Sequence, residues 1–159
     1  MREVIGVGDM KVSDNPEIEQ ITFSLGSCIG VVIYDPAVNV GGMLHFMLPD
    51  SEIDKDKGIA RPFMFADTGI PRLFKGAYKL GAKKNNLKVV VVGGSRLMAQ
   101  QVSFDIGKRN YLALRKIFFK NNVMTDYEDV GGNVNRTVRL LIRTGDVFIK
   151  TSGVGEIKV

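Results

Sequence analysis

The chain has 159 residues, 45% hydrophobic and 25% charged, so it can bury a core and is neither disordered nor fibrous. One domain spanning residues 1–159 is expected at that length. A single cysteine and a single histidine exclude an intramolecular disulfide and any metal site built from several Cys and His ligands, while 22 Lys and Arg against 17 Asp and Glu leave a net charge of +5.

That charge favours an acidic partner. The basic residues, from Lys75 through Lys120 to Arg143, fall mostly at spacings that read as solvated helix faces. With no zinc finger, no RNP-type strand and no dense basic stripe interleaved with aromatics, nucleic-acid binding is not expected. No apolar run approaches the roughly 20 residues that cross a bilayer, and Met1-Arg2-Glu3 opens onto a strand-like stretch rather than a signal peptide. The expectation is no membrane insertion and a cytoplasmic address.

In chain order, Val4–Val7 and Ile21–Ser24 read as short strands separated by a loop carrying Asp14, Asn15 and Pro16. Cys28–Tyr34 and Val40–Met47 read as the arms of a β-hairpin, with Asp35 and Pro36 where a type I turn wants them. Pro49–Arg61 is charged and reads as an exposed loop. Asp67 and Thr68 are then candidate N-caps, with Pro71 near a first helical position. Ile70, Leu73, Phe74 and Ala77 make the apolar face of a helix that Gly81 ends. Leu87–Val92, closed by Gly93-Gly94, reads as a central strand buried on both faces, and Gly107 to about Asn121 as a second helix with Tyr111, Leu114, Ile117 and Phe118 inward. Tyr127–Val130, Thr137–Arg143 and Val147–Lys150 read as strands, with a turn at Thr144-Gly145-Asp146. Two helices and seven or eight strands, joined by hairpins more than by βαβ units, predict an α+β sandwich.

A lone cysteine is more often a small buried hydrophobe than a nucleophile. Cys28 ends the string Leu25-Gly26-Ser27-Cys28, where Gly26 permits a tight turn and close ligand approach, and backbone N–H groups around Gly26 and Ser27 can face an oxyanion. His45 has a bland reading too, as a satisfied histidine among Met43, Leu44, Phe46 and Met47. A two-residue turn at Pro36-Ala37 would set Cys28 opposite His45. A three- or four-residue loop, which suits proline better, shifts the partner of Cys28 to Phe46 or Met47 and leaves His45 adjacent or diagonal. Either way the only thiol and the only imidazole meet at one end of one hairpin. An imidazole beside a thiol stabilises the thiolate and can protonate a leaving group, which is acyl-transfer equipment. Thr22 is a candidate to orient the imidazole, and an ordinary strand threonine fits it equally.

These residues resemble the CheD chemoreceptor glutamine deamidases. The resemblance covers nearly the whole chain: LGSC at Leu25–Cys28, HFMLPDS at His45–Ser51, FADTGIPRLF at Phe65–Phe74, Gly81-Ala82, Gly93-Gly94, FDIGKRN at Phe104–Asn110 and DVGGNVNR at Asp129–Arg136. It implies Cys28 as nucleophile, His45 as general base and Thr22 as the residue that orients it, without metal or organic cofactor. It implies a three-layer sandwich of two β-sheets flanked by helices, related to toxin deamidases. The implied reaction turns receptor glutamine into glutamate with release of ammonia. The implied partners are the cytoplasmic helices of methyl-accepting chemotaxis proteins and a CheC-type phosphatase. A partner-binding regulator of a CheC-type CheY phosphatase with little catalysis of its own is the alternative. Two departures are the Ser95–Met98 loop, where an altered substrate contact is expected, and Asn135, where the family more often has a small residue. Gly131, Gly132 and Arg136 read as structural.

Overall fold

The computed structural model describes residues 1–97 and 105–159. Met98 and Phe104, part of two of the strings above, lie outside the described residues. In order come β1 (Arg2–Val4), β2 (Asp9–Ser13), β3 (Glu19–Leu25), β4 (Ile29–Asp35), β5 (Val40–Phe46), α1 (Lys55–Ala60), α2 (Ala66–Lys79), β6 (Lys88–Gly93), α3 (Ile106–Lys120), β7 (Tyr127–Val130), β8 (Arg136–Leu141), β9 (Val147–Thr151) and β10 (Gly155–Lys158). One sheet runs β1-β3-β8-β9-β10, the other β2-β5-β4-β6-β7. Each is mixed, through the parallel pairs β1–β3 and β6–β7.

The second sheet is the middle layer. Val31, Ile33, Val89 and Val91 face α2 and α3, while Val32, Tyr34, Val90 and Val92 face the first sheet. Strands buried on both faces read as unbroken apolar runs, which is how β4 and β6 read. The helices supply Ile70, Leu73, Phe74 and Ala77 from α2, as their spacing predicts, with Leu114 and Phe118 from α3. The expected α+β sandwich of two sheets and a helical layer is the architecture observed.

Several elements differ from expectation. β4, not β6, holds the middle of its sheet. β2 went unread although its residues, Asp-Met-Lys-Val-Ser, alternate polar and apolar, because the run is short, has only Met10 and Val12 as apolar members, and lies half-buried on a sheet edge. β10 is fully exposed and equally silent. The charged Pro49–Arg61 segment is not a plain loop, because Asp50 and Asp54 accept from Glu52 N and Lys57 N and start a 3-10 turn and α1. Asp67 is not a cap. Helix α2 starts at Ala66, and the Asp67 carboxylate accepts from Ser51 N and Ser51 Oγ at 2.9 and 2.7 Å. Pro71 sits inside α2.

The hairpin loop is four residues, Pro36–Asn39. Asp35 Oδ1 accepts from Ala37 N at 2.8 Å, Asn39 takes a left-handed φ of 54°, and the ladder runs from Asp35↔Val40 to Ile29↔Phe46. That register sets the geometry of the site.

Candidate active site

Gly30, not Cys28, stands opposite His45. Extending the register puts Met47 opposite Cys28, so Cys28 and His45 are diagonal neighbours. Side chains alternate along a strand, so Cys28, Gly30 and His45 share the face turned toward the first sheet, where Cys28 packs on the inter-sheet core. Gly30 keeps that face open: a Cβ there would lie 2.9 Å from Leu25 Cδ1 and 3.7 Å from Thr22 Cγ2.

Thr22 arrives from the opposite sheet. It is ladder-paired with Val138, after which a bulge exposes Phe23 and Ser24, with Ser24 at φ 54°, and returns Leu25 to the core. Thr22 Oγ1 donates to Ile5 O at 2.7 Å and lies 2.7 Å from His45 Nδ1. A threonine hydroxyl has one hydrogen. With it committed to Ile5, the oxygen accepts from His45, which places the imidazole proton on Nδ1. Nε2 then carries the lone pair, and it is buried with no hydrogen-bond partner among the described residues. Thr22 thus fixes the tautomer that leaves a base facing the interior.

Burial holds both reactive groups neutral. It lowers the His45 pKa to about 4 and raises that of the Cys28 thiol. The resting pair is therefore thiol and imidazole rather than the thiolate that adjacency suggested, because burial disfavours the charged form of each. The imidazole retains its capacity as a proton acceptor once attack begins.

The turn that presents Cys28 is pinned by its carbonyls. Gly26 O accepts from Ser95 N at 2.8 Å, Ser27 O from Asn110 Nδ2 at 2.9 Å, and Cys28 O from Gly94 N at 2.9 Å. Two glycines permit this closeness. A Cβ on Gly93, at φ 115°, would fall 2.2 Å from Cys28 O, and one on Gly107 would fall 2.3 Å from Ser95 O. Arg136 braces the same loops. Its Nη1 donates to Ser95 Oγ at 2.9 Å and Gly93 O at 3.3 Å, and its Nε lies 3.1 Å from Asp129 Oδ1, close enough for an ion pair without being aligned as a hydrogen bond.

The structure brings Cys28, His45 and Thr22, the three candidates from sequence, to one place, with Arg136 bracing the loops as expected; Asn110 and Ser95, which the sequence offered only inside a string and a loop, join them as supports. A buried amide and a buried hydroxyl carry no spacing signal. Ser95 is fully buried and bonds Val134 O at 2.6 Å, so this departure from the family string supports the loop from inside. Asn135 is exposed, with Oδ1 3.5 Å from where a Gly26 Cβ would stand. A concavity of about 530 Å³ on the outer face of the first sheet reaches Ser24 and Asn135 but is lined by neither Cys28 nor His45. No group of three or more His, Cys, Asp or Glu among the described residues could hold a metal ion.

Residues 47–151 match the family model CheD, described as CheD chemotactic sensory transduction. The three candidate residues precede that stretch. Full-length relatives reach them: a protein of Syntrophus aciditrophicus named probable chemoreceptor glutamine deamidase CheD 1 is 53% identical over 150 residues, covering 94% of each chain. A Solibacter usitatus protein named probable chemoreceptor glutamine deamidase CheD is 49% identical, over 94% of this chain and 89% of its own. A Neisseria meningitidis protein of known structure, matching the family model DUF152, aligns over 82% of this chain and 64% of its own at 10% identity and a TM-score of 0.47. With a family model matching most of its length and relatives near half identity over nearly all of it, the chain belongs to the CheD family.

Proposed function

We propose that the protein is a glutamine deamidase acting on chemoreceptors, with Cys28 as nucleophile. Relatives that cover nearly the whole chain carry that activity in their names. The observation that carries the chemistry is the Thr22–His45 bond, which leaves an unpartnered base on the face that holds the chain's only thiol. Cys28 Sγ attacks the side-chain carbonyl carbon of glutamine as its proton passes to His45 Nε2. The tetrahedral intermediate collapses, the C–N bond breaks, and the amine takes the proton from His45 and leaves as ammonia. Water, deprotonated by His45, then cleaves the thioester, giving glutamate and the free thiol. Backbone N–H groups around Gly26 and Ser27 face the oxyanion, in a turn whose carbonyls are already engaged. No step calls on a metal or organic cofactor.

The whole of residues 1–159 acts as one domain in this reading, since the outer sheet takes β1 and β3 from one end of the chain and β8–β10 from the other. The cytoplasmic helices of the receptor are the substrate, the cytoplasm is the site of action, and no described helix is long and apolar enough to cross a membrane. A CheC-type phosphatase is a second partner in this proposal. The test is the mass of a glutamine-containing receptor cytoplasmic fragment after incubation with wild-type protein and with Cys28→Ala. Each deamidation adds about one dalton through hydrolysis of the acyl-enzyme, and only wild type should produce it. No shift with either protein would reject the deamidase and leave the partner-binding regulator.

A further inference from the structure

The β4–β5 ladder stops at Ile29↔Phe46, one residue short of Cys28. Beyond that point the two chains are joined by a side chain from another layer. Asn110 is fully buried on α3, one turn after Gly107, the residue whose missing Cβ lets the helix sit on the Gly94 and Ser95 carbonyls. Its Nδ2 donates to Ser27 O at 2.9 Å and to Met47 O at 3.1 Å. Ser27 precedes the nucleophile, and Met47 follows the base by two residues.

Only the amide nitrogen can sit between two carbonyl oxygens, so this orientation is fixed. It leaves Oδ1 buried with no partner among the described residues. A buried unpaired acceptor is costly, and an amide retained for packing alone would not be held half satisfied. The price is explained if its two N–H groups are what the site requires.

We infer that Asn110 is a positioning residue that sets the reach between Cys28 and His45 by clamping the ends of their two strands. The inference rests on the deamidase reading for its kinetic consequence but not for its geometric one. Without the clamp both strands keep their ladders, and Gly94 still holds Cys28 O. What is lost is the relative placement of thiol and base.

The test uses the full chain with Asn110→Asp, which keeps the shape but has at most one donor and cannot hold both carbonyls, and Asn110→Leu, which removes all polarity. Two readouts are taken: steady-state deamidation of the receptor fragment, and the rate of iodoacetamide alkylation of Cys28 as a function of pH, which needs no substrate. Expected is a kcat lower by about 100-fold, as a misplacement of roughly 1 Å produces, with KM within about twofold. The alkylation profile should lose the limb that reports His45 and match that of His45→Ala. Unchanged kcat with an unchanged profile would overturn the inference. So would a wild-type profile identical to that of His45→Ala, or activity that falls only in step with melting temperature while the His45 limb persists. If Asn110→Leu does not fold, Asn110→Asp decides. Should wild type fail to deamidate the fragment, the function reading fails and the alkylation profiles still judge the clamp.

Discussion

A histidine with one nitrogen tied and the other free is a base whose tautomer is chosen by its neighbour, and here the neighbour is a threonine with a single hydrogen already given to Ile5 O. Thr22→Ser preserves that arrangement and should keep activity within a few-fold, whereas Thr22→Val should impair turnover and lower stability by about 1–3 kcal/mol, since it strands Ile5 O and His45 Nδ1. Cys28→Ala should abolish activity, and His45→Ala should reduce kcat by about 10²–10⁴-fold, with both variants folded. The buried imidazole also sets a pH response. Its pKa is about 4 in the folded protein and near its ordinary 6.5 in the unfolded chain, so the unfolded chain binds the extra proton as pH falls between those values. Stability is therefore full above about pH 6.5 and declines toward pH 4 by about 3 kcal/mol, which His45→Ala should flatten in denaturant titrations at several pH values. Cys28 and His45 stood out as candidates because each is the chain's only residue of a reactive type and sits in a short string, whereas Thr22 fitted an ordinary strand threonine equally until its approach to His45 Nδ1 was known. Asn110 and Ser95 were not legible, because amides and hydroxyls become informative only once their burial and partners are known.

At the scale of elements, the hairpin carries the lesson. Pro36 already argued against a two-residue turn, and the four-residue loop moved His45 opposite Gly30, one of the alternatives the sequence had left open. The periodicity of α2 and the unbroken run of β6 were legible because deep burial imposes a pattern, while β2 offers only two apolar residues in its alternation and the exposed β10 offers one. Gly107 is the element-level constraint on the site. Gly107→Ala puts a Cβ 2.3 Å from Ser95 O and 2.6 Å from Gly94 O, and since both are backbone, α3 must lift. That should lower both kcat and melting temperature. Phe118, fully buried between α3 and the middle sheet and edge-on to Phe74 with ring centroids 6.0 Å apart, carries no chemistry. Phe118→Ala should destabilise by about 3–5 kcal/mol in denaturant titrations.

Across the whole molecule, charge is segregated by layer. Residues 66–87 and 106–120 carry ten Lys and Arg against a single acid, Asp67, so the rest of the chain is net negative although the total is +5. Asp67 is engaged with Ser51, and the basic residues Lys75, Lys79, Lys108, Lys116 and Lys120 are exposed, as their helical spacing predicts. A polarised charge distribution steers encounter with an acidic surface more than it strengthens the bound state. A partner whose glutamines become glutamates grows more acidic with each turnover. Raising ionic strength should therefore raise KM for the receptor fragment while kcat stays nearly constant, an outcome read directly from salt-dependent kinetics.

Thr22 belongs to one sheet, while His45 belongs to the other and Cys28 immediately precedes its strand β4. All three are present in the polymer by residue 45, yet β3 gains its antiparallel partner only when Arg136–Leu141 arrives. A chain still emerging from the ribosome thus carries a thiol and an imidazole with nothing to choose the imidazole's proton. The strand that holds Thr22 in its sheet comes from far along the sequence, so the three candidate residues are brought to one place only by a contact that spans more than a hundred residues.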